Sequence, residues 1–185
     1  MSVSAQHPGA SAALVSALAL TPCASLGCAF SVGVTPAASI DTLAKPGGEG
    51  RIDGMLAGGN NDFKFYVAAH GGGGYLSGFS SGYGLIAADV GMETGDEIRF
   101  SAGPLYAARI LDGDASGPRH GLGGGAAVVF EVADLQAEDS ALYLGPRLQA
   151  EHVWGVDDEN NRGLFTLGLE IRWVTFDTTG NSWGM

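Results

Sequence analysis

Acid–base and nucleophilic chemistry most often runs through histidine, so the histidines come first. There are four: His7, His70, His120 and His152. A hydrolase triad needs a nucleophile beside a base that a third group orients. No serine stands two residues from any histidine, and the neighbours Glu151 and His152 alone make no triad. His152 lies two residues before Trp154, and the pair is read as polar and aromatic side chains at an interface. Two glycine runs, "HGGGG" (70–74) and "GLGGG" (121–125), invite a phosphate-loop reading. Neither ends in Gly-Lys-Ser/Thr and no helical pattern follows, so they are read as space and flexibility. The acidic stretches "DGDAS" (112–116) and "DDEN" (157–160) lack the twelve-residue spacing and closing glutamate of a calcium loop. They are read as solvated loops, at most bridging to anionic lipid through divalent ions. Cys23 and Cys28 show no zinc-like spacing with histidine. No catalytic residue, metal ligand or cofactor is predicted.

With catalysis set aside, composition narrows the class. A chain of 185 residues, 45% hydrophobic, is long enough for one packed domain. Its 31 glycines lack the three-residue period of collagen, and 16% charged residues is sparse for a wetted surface. A net charge of −11 excludes a phosphate backbone as the natural partner. No run of 18 apolar residues exists, so no transmembrane helix is predicted; barrel strands, however, need only about 9–11 residues.

The pattern that dominates has a period of two. In "LFTLGLEIRWVTF" (164–176), Phe165, Leu167, Leu169, Ile171 and Trp173 alternate with Thr166, Gly168, Glu170 and Arg172. That is a strand with one apolar and one polar face. The same alternation recurs over 27–36, 51–58, 62–70, 83–92, 97–111, 120–133 and 140–154, giving about eight strands. Short connections ("GGNND", "ETGD", "DLQAED") alternate with longer ones at 37–50, 71–82, 112–119 and 155–163. Such alternation predicts an all-β, closed antiparallel up-and-down barrel whose two rims differ. "SAGPLYAARI" is echoed by "YLGPRLQAEH", in keeping with hairpin duplication. Pro104 and Pro146 fall mid-strand, each after a glycine, and a β-bulge is predicted at both.

Charge then decides which face is wet. Six basic residues, Arg51, Lys64, Arg99, Arg109, Arg147 and Arg172, share the polar parity with Asp53, Asp89, Glu131, Glu151 and Glu170. Lys45, Arg119 and Arg162 fall in the longer loops. The apolar parity carries no charge, as hydrocarbon requires, since Arg or Lys at mid-bilayer costs about 2–4 kcal/mol. Glycines on the polar parity would make room for arginine stems in a narrow interior, where opposite charges pair. Phe165 and Trp173, eight residues apart, would stand about 20 Å apart across a membrane. Trp154 at the loop-side rim and Phe100 at the opposite one complete two aromatic girdles.

This pattern resembles the small outer-membrane β-barrel proteins of Gram-negative bacteria, of the OmpA/OmpX type. The resemblance covers residues 27–176, with 1–26 as signal peptide or N-terminal segment and 177–185 as a tail. It implies a bacterial outer-membrane location and lipid and lipopolysaccharide as surroundings. It also implies a plugged rather than porin-like lumen, with a structural role or partner binding through the long loops. Two alternatives follow from the same residues: a soluble exported barrel holding a small apolar ligand, and a membrane lipid hydrolase using His152.

Overall fold

The computed structural model describes residues 28–59, 63–77, 79, 81–113, 117–135, 140–154 and 161–176. The predicted N-terminal segment and tail lie outside them. Eight strands follow in order: β1 (Cys28–Asp41), β2 (Pro46–Gly59), β3 (Lys64–Leu76), β4 (Ser81–Thr94), β5 (Ile98–Leu111), β6 (Arg119–Leu135), β7 (Ser140–Trp154) and β8 (Arg162–Phe176). Each pairs antiparallel with the next, and β1 pairs with β8, so the sheet closes on itself. We call the end bearing the β1–β2, β3–β4, β5–β6 and β7–β8 connections the loop side, and the other the turn side.

The alternation read from sequence sets the two faces. Ile52 and Ile86, each 65% exposed, stand on the outer wall with Phe65, Val67, Leu148, Leu167 and Leu169. The alternate positions point inward and are buried. The soluble alternative required the apolar parity inside and is overturned by this orientation. Strands of 13–17 residues also exceed the roughly 9–11 needed to cross hydrocarbon, so their ends stand clear of it.

The strands run longer than the sequence reading placed them. Residues 37–50 and 71–82, expected as long loops, are mostly strand: β1 runs to Asp41, β2 starts at Pro46, β3 reaches Leu76 and β4 starts at Ser81. Glycine misled here. Gly72 and Gly74 pair with Arg51 and Glu49, and a Cβ on either would overlap a β2 carbonyl oxygen. The run marks a close approach of two strands rather than a flexible loop.

The bulges expected at Pro104 and Pro146 are absent. Pairing of β5 with β4 skips Gly103 and Pro104 and resumes in the same register, as does pairing of β7 with β6 across Gly145 and Pro146. Each glycine is pressed against the neighbouring strand, where a Cβ would overlap the carbonyl of Val90 or Val128. The missing donor is thus absorbed by a local gap in the ladder. Among the described residues a register shift occurs between Glu131 and Ala133 instead.

Candidate functional site

The inward positions meet in a narrow shaft. Eight strands enclose a space just wide enough for side chains to fill. All seven arginines of the chain, Arg51, Arg99, Arg109, Arg119, Arg147, Arg162 and Arg172, are buried there. Seven carboxylates are buried with them: Asp41, Glu49, Asp53, Asp89, Glu93, Glu151 and Glu170. The interior is therefore balanced in formal charge, and the net −11 arises from residues outside this set.

One connected network touches every strand. Thr35 on β1 donates to Asp53 on β2 at 2.7 Å, and Asp53 meets His70 Nδ1 on β3 at 2.6 Å. His70 Nε2 stands 3.3 Å from Asp89 on β4, whose other oxygen accepts from Arg147 on β7 at 2.5 Å. Arg147 reaches Glu170 on β8 at 3.3 Å, Glu170 accepts from Arg172 at 2.6 Å, and Arg172 pairs with Glu93. Glu93 accepts from Arg99 on β5 at 3.0 Å. The Arg99 guanidinium lies 4.4 Å above the Tyr143 ring, and the Tyr143 hydroxyl donates to Glu131 on β6 at 3.3 Å.

Nearer the loop side, Arg109 grips Glu151 with two bonds of 2.9 and 2.5 Å. Glu49 pairs with Arg51 and accepts from the Tyr83 hydroxyl at 2.8 Å. A Cβ on Gly121 would strike the Glu151 carboxylate, so part of the "GLGGG" run clears space for this pair. Arg162 donates to Asp41 at 2.9 Å, and the free Asp41 oxygen accepts two backbone N–H groups of the turn that follows. A buried ion is costly unless paired and hydrogen-bonded, and these bonds supply partners for Arg99, Arg109, Arg147, Arg162 and Arg172.

An apolar cluster also lies toward each end of the shaft. On the loop side Leu76, Tyr83, Leu85, Leu105, Leu111, Val153 and Leu164 form a buried cluster, with Phe79 of the β3–β4 connection packed against it. On the turn side Ala29, Val129, Ala141, Tyr143 and Val174 form another.

Nine of the eleven predicted interior residues lie in the buried set: Arg51, Asp53, Asp89, Arg99, Arg109, Arg147, Glu151, Glu170 and Arg172. Lys64 and Glu131 are only half-buried, Lys64 at the start of its strand and Glu131 beside the register shift. Arg119 and Arg162 were assigned to loops; they open β6 and β8 with buried side chains. His70, read as a strand-end residue, is mid-strand and buried, because β3 continues through the glycines. Sequence reasoning also missed Asp41, Glu49 and Glu93, all at polar-parity positions near strand ends. The aromatics Phe100, Phe165 and Trp173 are on the outer wall, 52%, 54% and 37% exposed, and Trp154 is half-buried at the loop-side end of β7. "DDEN" and most of "DGDAS" lie outside the described residues.

No protein-family model matches the chain, and no curated protein sequence matches it. Solved structures do. Neisserial surface protein A (NspA) superposes with a TM-score of 0.52 at 16% identity, covering 78% of this chain and 95% of its own. The fold is that of the small outer-membrane β-barrels. Ail of Yersinia pestis aligns over 81% of this chain and 99% of its own, at 12% identity and a TM-score of 0.48. OprG from Pseudomonas aeruginosa aligns over 83% and 97%, at 9% identity and 0.45.

Proposed function

We propose that this chain is an integral outer-membrane β-barrel with a closed shaft, non-enzymatic, whose role is structural and whose immediate partner is membrane lipid, lipopolysaccharide included. The observation that carries this reading is the sorting of charge: every arginine is inside with an equal number of carboxylates, under an uncharged apolar wall. A water-filled pore would leave its lining hydrated; here the guanidinium groups of Arg99 and Arg109 are 2% and 0% exposed and an apolar cluster lies toward each end. A protein partner, if the barrel has one, is assigned to the acidic segments 112–118 and 155–161 on their composition alone. Against a hydrolase, the hydrogen-bond partner of His120 Nδ1 is the Tyr106 hydroxyl and His152 stacks on Trp154, whereas a triad orients its base with an acidic group.

The test is reconstitution. The barrel is expected to require detergent, insert into vesicles and give no conductance steps in a planar bilayer. Phospholipid and lipid A are expected to survive incubation with it unchanged. Solubility without detergent would remove the membrane assignment, and steady ion conductance would remove the closed shaft.

A further inference from the structure

The outer wall is not uniform. At the loop-side ends of β5, β6 and β7 four rings form a ladder. The Tyr106 and His120 rings are 6.0 Å apart and inclined by 26°, and Trp154 lies 6.3 Å from both His120 and His152. The Tyr106 hydroxyl and His120 Nδ1 are 2.6 Å apart. With the phenol as donor to Nδ1, His120 Nε2 carries the ring N–H. The Trp154 indole adds a second donor.

A depression of about 660 Å3 begins one row further along the same strands and crosses β6, β7, β8 and β1. The register sets the two features side by side: Leu122 faces His152, and two residues on Gly124 faces Ala150. Small residues Ala38, Gly124, Ala126 and Ala150 form its bed, and Leu148 and Phe165 rise beside it. The intervening Ser39, Gln149 and Thr166 are each 5% exposed, so the depression opens outward, toward the acyl chains.

A polar, ring-bearing head beside an apolar trough has the layout of a lipid. Its size falls within the roughly 300–1,000 Å3 of small-molecule sites. The head chemistry points to a sugar. Ring faces are electron-rich and attract the C–H side of a saccharide, while ring N–H groups donate to its hydroxyls. The four rings include no lysine or arginine, the usual partners of a bare phosphate head. We propose that this wall binds one glycolipid, its saccharide against Tyr106, His120, His152 and Trp154 and an acyl chain along the Gly124–Ala150 trough. The assignment rests on the transmembrane reading above.

The experiment uses the full chain in nanodiscs of phosphatidylcholine, doped with a few mole per cent of either galactosyl diacylglycerol or phosphatidylglycerol. Lipid retained after transfer to mild detergent is counted by native mass spectrometry. Galactolipid should be retained in preference to both phospholipids. Trp154→Ala with His120→Ala removes two of the four rings and should cut that retention at least about fivefold. Ala126→Leu with Ala150→Leu, which fills the trough on the lipid side and leaves the ionic network untouched, should do the same and carries the test should the ring variant fail to fold. Equal retention of all three lipids, preference for phosphatidylglycerol, or indifference to the trough variant would each overturn the site while leaving the barrel in its membrane. Failure to enter nanodiscs at all would instead remove the reading beneath it.

Discussion

Arg147 on β7 and Asp89 on β4 are 58 residues apart in sequence and 2.5 Å apart in space, joined across the shaft rather than along the sheet. Two strands, β5 and β6, separate β4 from β7 on the shorter arc and four on the longer, so this bond is a crossbar inside the barrel. Arg147 also holds Glu170 at 3.3 Å. Replacing it by alanine takes one cation from two buried carboxylates, leaving Asp89 to His70 and Glu170 to Arg172. Arg147→Ala is expected to destabilise the barrel by about 3–5 kcal/mol, read as a lower urea midpoint in vesicles. Arg147→Lys keeps the charge but loses the planar fork and should fall between. An unchanged midpoint for alanine would contradict the crossbar.

The Gly-Pro pairs make a second prediction. At Gly103 and Gly145 a neighbouring carbonyl occupies the place of a Cβ. Gly145→Ala must push β7 from β6 and is expected to cost about 1–3 kcal/mol. Pro146→Ala meets no such obstacle and restores a backbone donor, so its cost should be smaller than that of Gly145→Ala. Equilibrium unfolding of the two variants in the same lipid checks the order, and the reverse order would place the constraint on proline instead.

Phe79 packs against the loop-side apolar cluster. Its ring stands edge-on to Tyr83 at 6.4 Å, and the Arg162 guanidinium lies 5.1 Å from its centre. Half-buried and outside the strands, it should contribute little to the barrel as a whole. Phe79→Ala is expected to lower stability by about 1 kcal/mol, clearly less than Arg147→Ala. A loss as large as that of the arginine variant would mean the apolar cluster, and not the ionic crossbar, holds the shaft.

The alternation of apolar and polar residues made the fold legible, because a period of two states both the strand and its two faces. Nine of the charges on the polar parity are buried in the structure, though parity says nothing of their partners. Strand ends were harder. Gly71 to Gly74 look like a loop in composition, and only the closeness of β2 explains them; with that strand cut short, His70 appeared to be at a rim. Arg119 and Arg162 were misplaced for the same reason, each lying at the edge of a glycine- or acid-rich stretch. Partners such as Arg147 and Asp89 were beyond reach, since which charges meet across a shaft depends on shear and side-chain length. The apolar clusters were hidden because Leu85, Leu105 and Val129 sit on the polar parity, where sequence alone offers no reason for them.

The orientation of the wall has its own test at the centre of β8. Leu169 is the middle residue of that strand, lies opposite Pro146 and is 46% exposed. In a bilayer an arginine there faces hydrocarbon, with both rims about as far away as the strand permits. Leu169→Arg is therefore expected to lower stability in phospholipid vesicles by about 2–4 kcal/mol. Placed nearer a rim, as in Ile110→Arg, the same charge reaches the interface and should cost about 0–1 kcal/mol. In a soluble barrel both positions would be ordinary surface, and neither change would exceed about 0.5 kcal/mol. Equilibrium unfolding of the two variants from vesicles separates these cases, because only a lipid-facing wall makes the cost depend on depth.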